Sequence, residues 1–147
     1  MKKIILFFIV LLSLLSISYA HLEAGEDKPV NGYLVDFGYA PEHPKTGEKV
    51  SFALNLVNET TGEPVDADRV WLRIAQEEVL FAGTLAAPDA NAAFTYIFQK
   101  KGDYEITVRF QKDDKALAEA DFSMDAKKKP ARFSFFGFIF SLWPFLT

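Results

Sequence analysis

The sequence predicts an all-β sandwich, and two observations support this fold class. Between residues 33 and 124, short segments such as 50–56 alternate apolar and polar side chains, which places one set in a core and the other in water. Clusters of turn residues separate these segments at intervals of about 8–12 residues. We therefore predict seven strands, at about 32–39, 48–57, 69–75, 78–85, 93–98, 104–111 and 116–124.

One motif narrows the type of sandwich. Phe98, Gly102 and Tyr104 precede a segment of alternating apolar residues, 104–110. This order resembles the turn-then-strand motif of immunoglobulin-like modules, in which a tyrosine at the start of the sixth strand hydrogen-bonds back to the preceding corner. Together with the strand count, it predicts a seven-stranded immunoglobulin-like Greek-key sandwich over residues 31–125.

The first twenty residues have the pattern of a secretory signal peptide. Two lysines follow Met1, residues 4–17 are apolar apart from two serines, and Ser18 and Ala20 supply small residues at a cleavage site. The apolar part has about 14 residues, whereas a spanning helix needs roughly 20. We predict an N-terminal signal helix and export, with an uncleaved signal anchor as the alternative. Residues 21–30 contain Gly25, Pro29 and several charges, and are predicted to form a mobile acidic arm.

The chain changes character after residue 125. Residues 126–132 form a predicted basic linker, whose charges are Lys127, Lys128, Lys129 and Arg132. Residues 133–147 carry no charge and are rich in phenylalanine. As a helix they reach only about 22 Å, short of a hydrocarbon core of about 30 Å. We predict a membrane-associating segment that spans or lies on the bilayer. The alternative is a segment that packs on the sandwich. The predicted anchoring side chains of the membrane-associating segment are Phe133, Phe136, Phe140 and Trp143.

Composition excludes several classes of protein. The chain has no cysteine, which excludes a disulfide scaffold, thiol catalysis and thiolate metal sites. Its net charge of −4 argues against nucleic-acid binding, which requires a basic face. No set of carboxylates or Ser, His and Asp residues fits a catalytic cleft. We predict that the protein is not an enzyme and has no cofactor. Bound copper is the one alternative.

Copper is the one specific chemical alternative. Cleavage after Ala20 would leave His21 as the N-terminal residue, whose α-amine and ring nitrogen together chelate Cu(II). The other histidine of the chain, His43, lies in a predicted loop and would be the second ligand. Against this, the chain offers no third histidine, and the arm that carries His21 is predicted to be mobile.

A family resemblance covers roughly residues 30–124. Residues 31–33 (Asn-Gly-Tyr), the Pro41, Pro44 and Gly47 turn that leads into an alternating strand, and the turn at 61–65 resemble the YtkA-like domains of bacterial and archaeal exported proteins. The resemblance implies a small immunoglobulin-type sandwich, of a kind often found beside copper-handling and oxidase-assembly modules. It says more about fold than about function.

These observations predict an exported, membrane-tethered interaction module without catalytic activity, on the extracytoplasmic side of the cell membrane. Its expected partners are the membrane and another envelope protein. Two alternatives stay open: a copper-binding accessory protein that uses His21, and an adhesive or envelope-structural domain.

Overall fold

The computed structural model describes Leu22 and residues 24–130, and within this part of the chain it confirms the all-β prediction. Two antiparallel four-stranded sheets pack face to face, with strand orders β1-β2-β3-β6 and β5-β4-β7-β8. The strands are β1 (Ala24–Val30), β2 (Tyr33–Ala40), β3 (Lys49–Asn58), β4 (Arg69–Ala75), β5 (Val79–Ala86), β6 (Asn91–Ile97), β7 (Gly102–Lys112) and β8 (Lys115–Ala126). One 3-10 turn, at Pro88–Ala90, connects β5 to β6.

The core lies between the two sheets and uses the alternating residues that the sequence marked as inward-facing. On β3 the fully buried side chains are Val50, Phe52, Leu54 and Leu56. Across the sheets, the ring of Phe37 on β2 stacks on that of Phe122 on β8, with centroids 4.5 Å apart and planes 14° apart. Burial of each such side chain contributes roughly 1.5–3 kcal/mol, so the core holds the sandwich together without disulfides.

The predicted hydrogen bond of Tyr104 is confirmed. Its hydroxyl donates to the backbone carbonyl of Lys100 at 2.6 Å, and the tyrosine is only 2% exposed. This bond ties the start of β7 to the loop that crosses from the other sheet. Because the phenol is buried, its O–H group cannot hydrogen-bond to water. The bond to the Lys100 carbonyl replaces the lost hydrogen bond to water.

The prediction of seven strands is wrong, because the described residues contain eight. Residues 24–30, expected to lie in a mobile acidic arm, form β1 at the edge of the first sheet and pair in register with β2. Gly25, Pro29 and the charges of this segment have low strand propensity, but an edge strand tolerates them. The missed signal was Asn31-Gly32, whose positive φ angles of 54° and 80° make the two-residue turn typical of hairpins.

The second correction concerns the start of the basic linker. β8 extends to Ala126, one residue beyond the predicted end of the sandwich, and Ala126 is fully buried. Lys127 then forms a parallel bridge with Lys45, and the Lys129 ammonium lies 3.3 Å from a carboxylate oxygen of Glu48. Residues 127–129 are therefore bound to the loop between β2 and β3. The predictions for residues 1–21, Arg132 and 133–147 lie outside the described residues.

The two ends of the sandwich are distinct. We call one the terminal end, because β1 begins there at Ala24 and Pro130 lies there; its loops are 41–48, 76–78, 98–101 and 127–130. Strand pairing places them together, since Lys49 faces Ile97 in one sheet and Gly102 faces Ala126 in the other. The opposite end carries loops 31–32, 59–68, 87–90 and 113–114.

Candidate functional site

A shallow depression of about 800 Å³ lies on the outer face of the first sheet. Its floor is a row of small residues that strand register places side by side across all four strands, namely Gly25, Gly38, Ala53 and Ala93. Leu22 lies over Gly38, so closely that an added Cβ there would be 2.7 Å from the Leu22 Cδ1 atom. The floor is low because these residues have little or no side chain.

A row of polar side chains runs beside this floor. Asp27, Asp36, Asn55 and Asn91 face one another in the same strand register. The Asn55 Nδ2 atom donates to Asp36 Oδ2 at 3.0 Å. The pKa of Asp27 is raised, first by loss of hydration and then by the charge of Asp36 and a hydrogen bond to it. Two carboxyl groups and amides thus form a continuous row that can hydrogen-bond to a polar ligand or protein partner.

Sequence reasoning missed this row. Each member lies on a different strand, in a segment where it resembles any other outward-facing polar residue. Only the pairing register brings the four positions together, and register cannot be derived from one alternating segment alone. The Asn31-Gly32 hairpin turn is the one local signal that would have placed Asp27 opposite Asp36.

The histidines predicted as copper ligands are only partly described. His43 is exposed in the loop between β2 and β3, at the terminal end, and His21 lies outside the described residues. Among the residues that the structure describes, no group of three or more His, Asp or Glu side chains is arranged to hold a metal ion. The copper site therefore stays a prediction.

Large exposed apolar side chains cluster at the terminal end. Val79, Leu80 and Phe81, at the start of β5, are 54%, 38% and 38% exposed, and Ile97, at the end of β6, is 42% exposed. Phe81 contacts the ring of Tyr96 with centroids 6.4 Å apart, so the two edge strands meet here. These are the exposed large hydrophobic residues of the described part of the chain, and all belong to one end of the sandwich.

The two ends also differ in charge. The loops of the terminal end hold six lysines and four glutamates, which are Lys45, Lys100, Lys101, Lys127, Lys128, Lys129, Glu42, Glu48, Glu77 and Glu78. The loops of the opposite end hold seven acidic residues and no lysine or arginine; the acids are Glu59, Glu63, Asp66, Asp68, Asp89, Asp113 and Asp114. In their loops, the terminal end therefore has more basic than acidic residues, and the opposite end has only acidic ones. Three of those acids, Asp66, Asp68 and Asp114, pair with Lys112 or Arg69 at the adjoining strand ends.

The outer face of the second sheet is occupied by its own charge pairs. The Arg109 guanidinium lies over the ring of Trp71, 4.9 Å from its centroid, and is also paired with Glu119. Arg73 pairs with Glu105 at 2.6 Å. Because these groups satisfy one another across neighbouring strands, we interpret this face as a stabilised surface of the sheet.

The predicted membrane-associating residues are described only at the linker. Lys127, Lys128 and Lys129 are exposed at the terminal end, whereas Arg132, Phe133, Phe136, Phe140 and Trp143 are outside the described residues. Within Leu22 and residues 24–130, no helix has the length and apolarity that a membrane span requires.

Comparisons with known proteins give a similar structure but no family. No family model matches the chain, and no curated protein matches it. Among solved structures it is similar to a superoxide reductase (neelaredoxin) from Ignicoccus hospitalis, with a TM-score of 0.41 and 14% sequence identity. The match covers 78% of this chain and 86% of that chain. At this level the similarity carries no functional argument.

Proposed function

We propose that the protein is an exported, membrane-tethered immunoglobulin-like binding module without catalytic activity. The observation that carries the proposal is where the chain enters and leaves the described sandwich. β1 begins at Ala24 at the terminal end, and Pro130 follows the end of β8 there. The sequence before Ala24 and after Pro130 leads into an uncharged hydrophobic segment, at 4–17 and 133–147. A membrane anchor in either segment would hold the sandwich at the membrane through its terminal end.

The strand order supports the immunoglobulin-like assignment. β3 pairs with β6 rather than with β4, and β7 lies between β4 and β8. This Greek-key arrangement, with a tyrosine corner at the start of β7, is typical of immunoglobulin sandwiches. The resemblance to YtkA-like domains belongs to the same proposal.

The depression on the first sheet is the surface that we assign to a partner. It offers the hydrogen-bonding row of Asp27, Asp36 and Asn55 beside a floor of small residues, which Leu22 covers at Gly38. Another envelope protein is the partner that export implies.

Fractionation of cells that export the protein tests the tether. The full chain is compared with a variant that ends after Pro130, which keeps every described strand. We expect the full chain in the membrane fraction and the shortened chain in the soluble extracytoplasmic fraction. A full chain that stays soluble would contradict tethering by residues 133–147.

Copper binding is a second candidate, favoured by one observation. Leu22, the residue after His21, lies over Gly38 of β2, and β2 leads into the loop that carries His43. Titration of the processed protein with Cu(II) tests it, with His21→Ala and His43→Ala as the variants. Weaker binding in both variants is expected, and unchanged affinity in the His21→Ala protein would exclude the site.

A further inference from the structure

We propose that the terminal end of the sandwich lies directly against the lipid surface, with its lysines on anionic headgroups and its exposed apolar side chains at the membrane interface. This inference rests on the proposed tether and adds an orientation to it. The acidic opposite end then points away from the bilayer, and the outer faces of the two sheets point sideways.

The length of the linker is the first argument. Lys129 is fixed to the domain, because its backbone N–H donates to Thr46 Oγ1 at 3.2 Å and its ammonium pairs with Glu48. Phe133 follows Pro130 after only two intervening residues, so their Cα atoms are at most about 10 Å apart when the chain is fully extended. The terminal end therefore cannot lie far from a membrane in which residue 133 begins to insert.

The apolar side chains are the second argument. Val79 and Leu80 lie at the tip of the β4–β5 hairpin, at the end from which the chain leaves for residues 131–147. Ile97 is exposed at the end of the adjacent edge strand β6. Apolar side chains beside a basic cluster are the composition of a surface that binds at the membrane interface.

Charge is the third argument. Lys100, Lys101 and Lys128 are exposed, and within the described part of the chain none of them has an ion-pair partner. One of the four glutamates at this end, Glu48, is already paired with Lys129 at 3.3 Å. An anionic membrane attracts these lysines and repels the acidic loops of the opposite end, although three of the seven acids there pair with Arg69 or Lys112. Attraction at one end and repulsion at the other favour the same orientation.

An acidic protein is the other surface that this end could contact. The linker argues for lipid, because a gap of about 10 Å is no wider than a single helix with its side chains. A folded partner would not fit between the terminal end and the bilayer while residues 133–147 stay in the membrane.

Single labels on the full chain test the orientation. The chain has no cysteine, so Gln99→Cys at the terminal end and Thr60→Cys at the opposite end give one fluorophore each, both at exposed positions. The proteins are reconstituted into vesicles of phosphatidylglycerol and phosphatidylcholine that contain a headgroup-linked quencher. We expect strong quenching of the label at 99 and weak quenching at 60. Equal quenching, or stronger quenching at 60, would overturn the proposal.

A charge variant tests the role of the lysines. Lys100→Gln combined with Lys101→Gln should lower the ratio of docked to undocked domain about thirty-fold, at the contribution typical of two lysines near an anionic surface. The matched control is Lys112→Gln combined with Lys115→Gln at the opposite end, which should leave quenching at 99 unchanged. An equal loss of quenching at 99 in both double variants would overturn a specific role for the lysines of the terminal end.

Flotation of the same vesicles separates the two levels of the proposal. If the unsubstituted chain does not float with the vesicles, the tether itself is wrong and the orientation falls with it. If the chain floats but the two labels are equally quenched, the tether stands and the orientation is wrong. Vesicles of phosphatidylcholine alone should reduce quenching at 99. Undiminished quenching in these vesicles would show that anionic headgroups do not contribute to docking.

Discussion

The backbone N–H of Thr46 donates to the carbonyl oxygen of Lys127 at 2.9 Å, which joins the loop after β2 to the residue that follows β8. In the same loop, the carbonyl of Pro44 accepts from the Lys127 N–H, also at 2.9 Å. These two hydrogen bonds fix the position of Lys127, from which the chain leaves the sandwich. A short, fixed exit means that any anchor after residue 130 also sets which end of the domain faces it.

Tyr104→Phe removes the hydroxyl that donates to the Lys100 carbonyl at 2.6 Å. We expect the free energy of unfolding to fall by about 1–2 kcal/mol, because the carbonyl loses its partner in a part-buried site. Urea denaturation measures the change. The control is Tyr33→Phe, a half-buried tyrosine on β2, which should change stability by less than about 0.5 kcal/mol. Equal effects in the two variants would contradict a tyrosine corner.

Phe122→Ala removes the ring that stacks on Phe37 between the sheets. The site is fully buried, so a loss of about 3–5 kcal/mol is expected from lost burial and the cavity left behind. Phe81→Ala, at a position that is 38% exposed, is the matched control and should cost clearly less. Thermal or urea denaturation gives both values, and a smaller loss for the Phe122 variant would be incompatible with this core.

Gly25→Ala and Gly38→Ala test the floor of the depression. A Cβ at Gly25 would lie 2.9 Å from the backbone oxygen of Phe37, which cannot move without disturbing the strand pair. A Cβ at Gly38 would meet only the Leu22 side chain, whose end can rotate away. We expect a loss of about 1–3 kcal/mol for Gly25→Ala and a smaller one for Gly38→Ala. The reverse order, measured by denaturation, would count against the packing of β1 on β2.

Asp27→Asn tests the pair of carboxyl groups through pH. The folded state raises the pKa of Asp27 above its ordinary value of 3.8, first through loss of hydration and then through Asp36. The folded protein thus binds this proton more tightly than the unfolded chain, and the resulting stability is present below pH 3.8 and is lost as the pH rises through the folded-state pKa. Asparagine stays neutral throughout.

We therefore expect the Asp27→Asn protein to be more stable than the unsubstituted chain at pH 7, with the difference shrinking towards pH 3. Denaturation at the two pH values measures this. Asp89→Asn, in an exposed loop of the opposite end, is the control and should show little change. A gain for Asp27→Asn that is equal at both pH values would mean that the carboxyl pair is not its cause.

The sequence predicted the parts of the fold that depend on local periodicity. The inward residues of β3 and β7 and the hydrogen bond of Tyr104 followed from alternation and from one turn-then-strand motif. β1 did not follow, because its pairing with β2 compensates for Gly25 and Pro29, which oppose strand formation locally. The fixed position of Lys127 depends in the same way on a contact with a loop some eighty residues earlier in the chain.

The candidate surfaces were less predictable than the strands. The lysines of 127–129 were recognised as a basic group, but Lys100 and Lys101 join them only because the strands bring their loops to one end. Likewise, Asp27 and Asp36 become neighbours only through the register of β1 and β2. Both surfaces arise from pairings between segments, and a single sequence reports such pairings weakly.

Hydrogen exchange of the full chain on anionic vesicles, compared with the chain that ends after Pro130 in solution, tests the membrane-facing orientation most directly. The vesicle-bound protein should gain protection in residues 76–81 and 98–101, while 59–63 and 113–114 exchange as fast as they do in solution. Equal protection at the two ends, or protection confined to the acidic end, would contradict it.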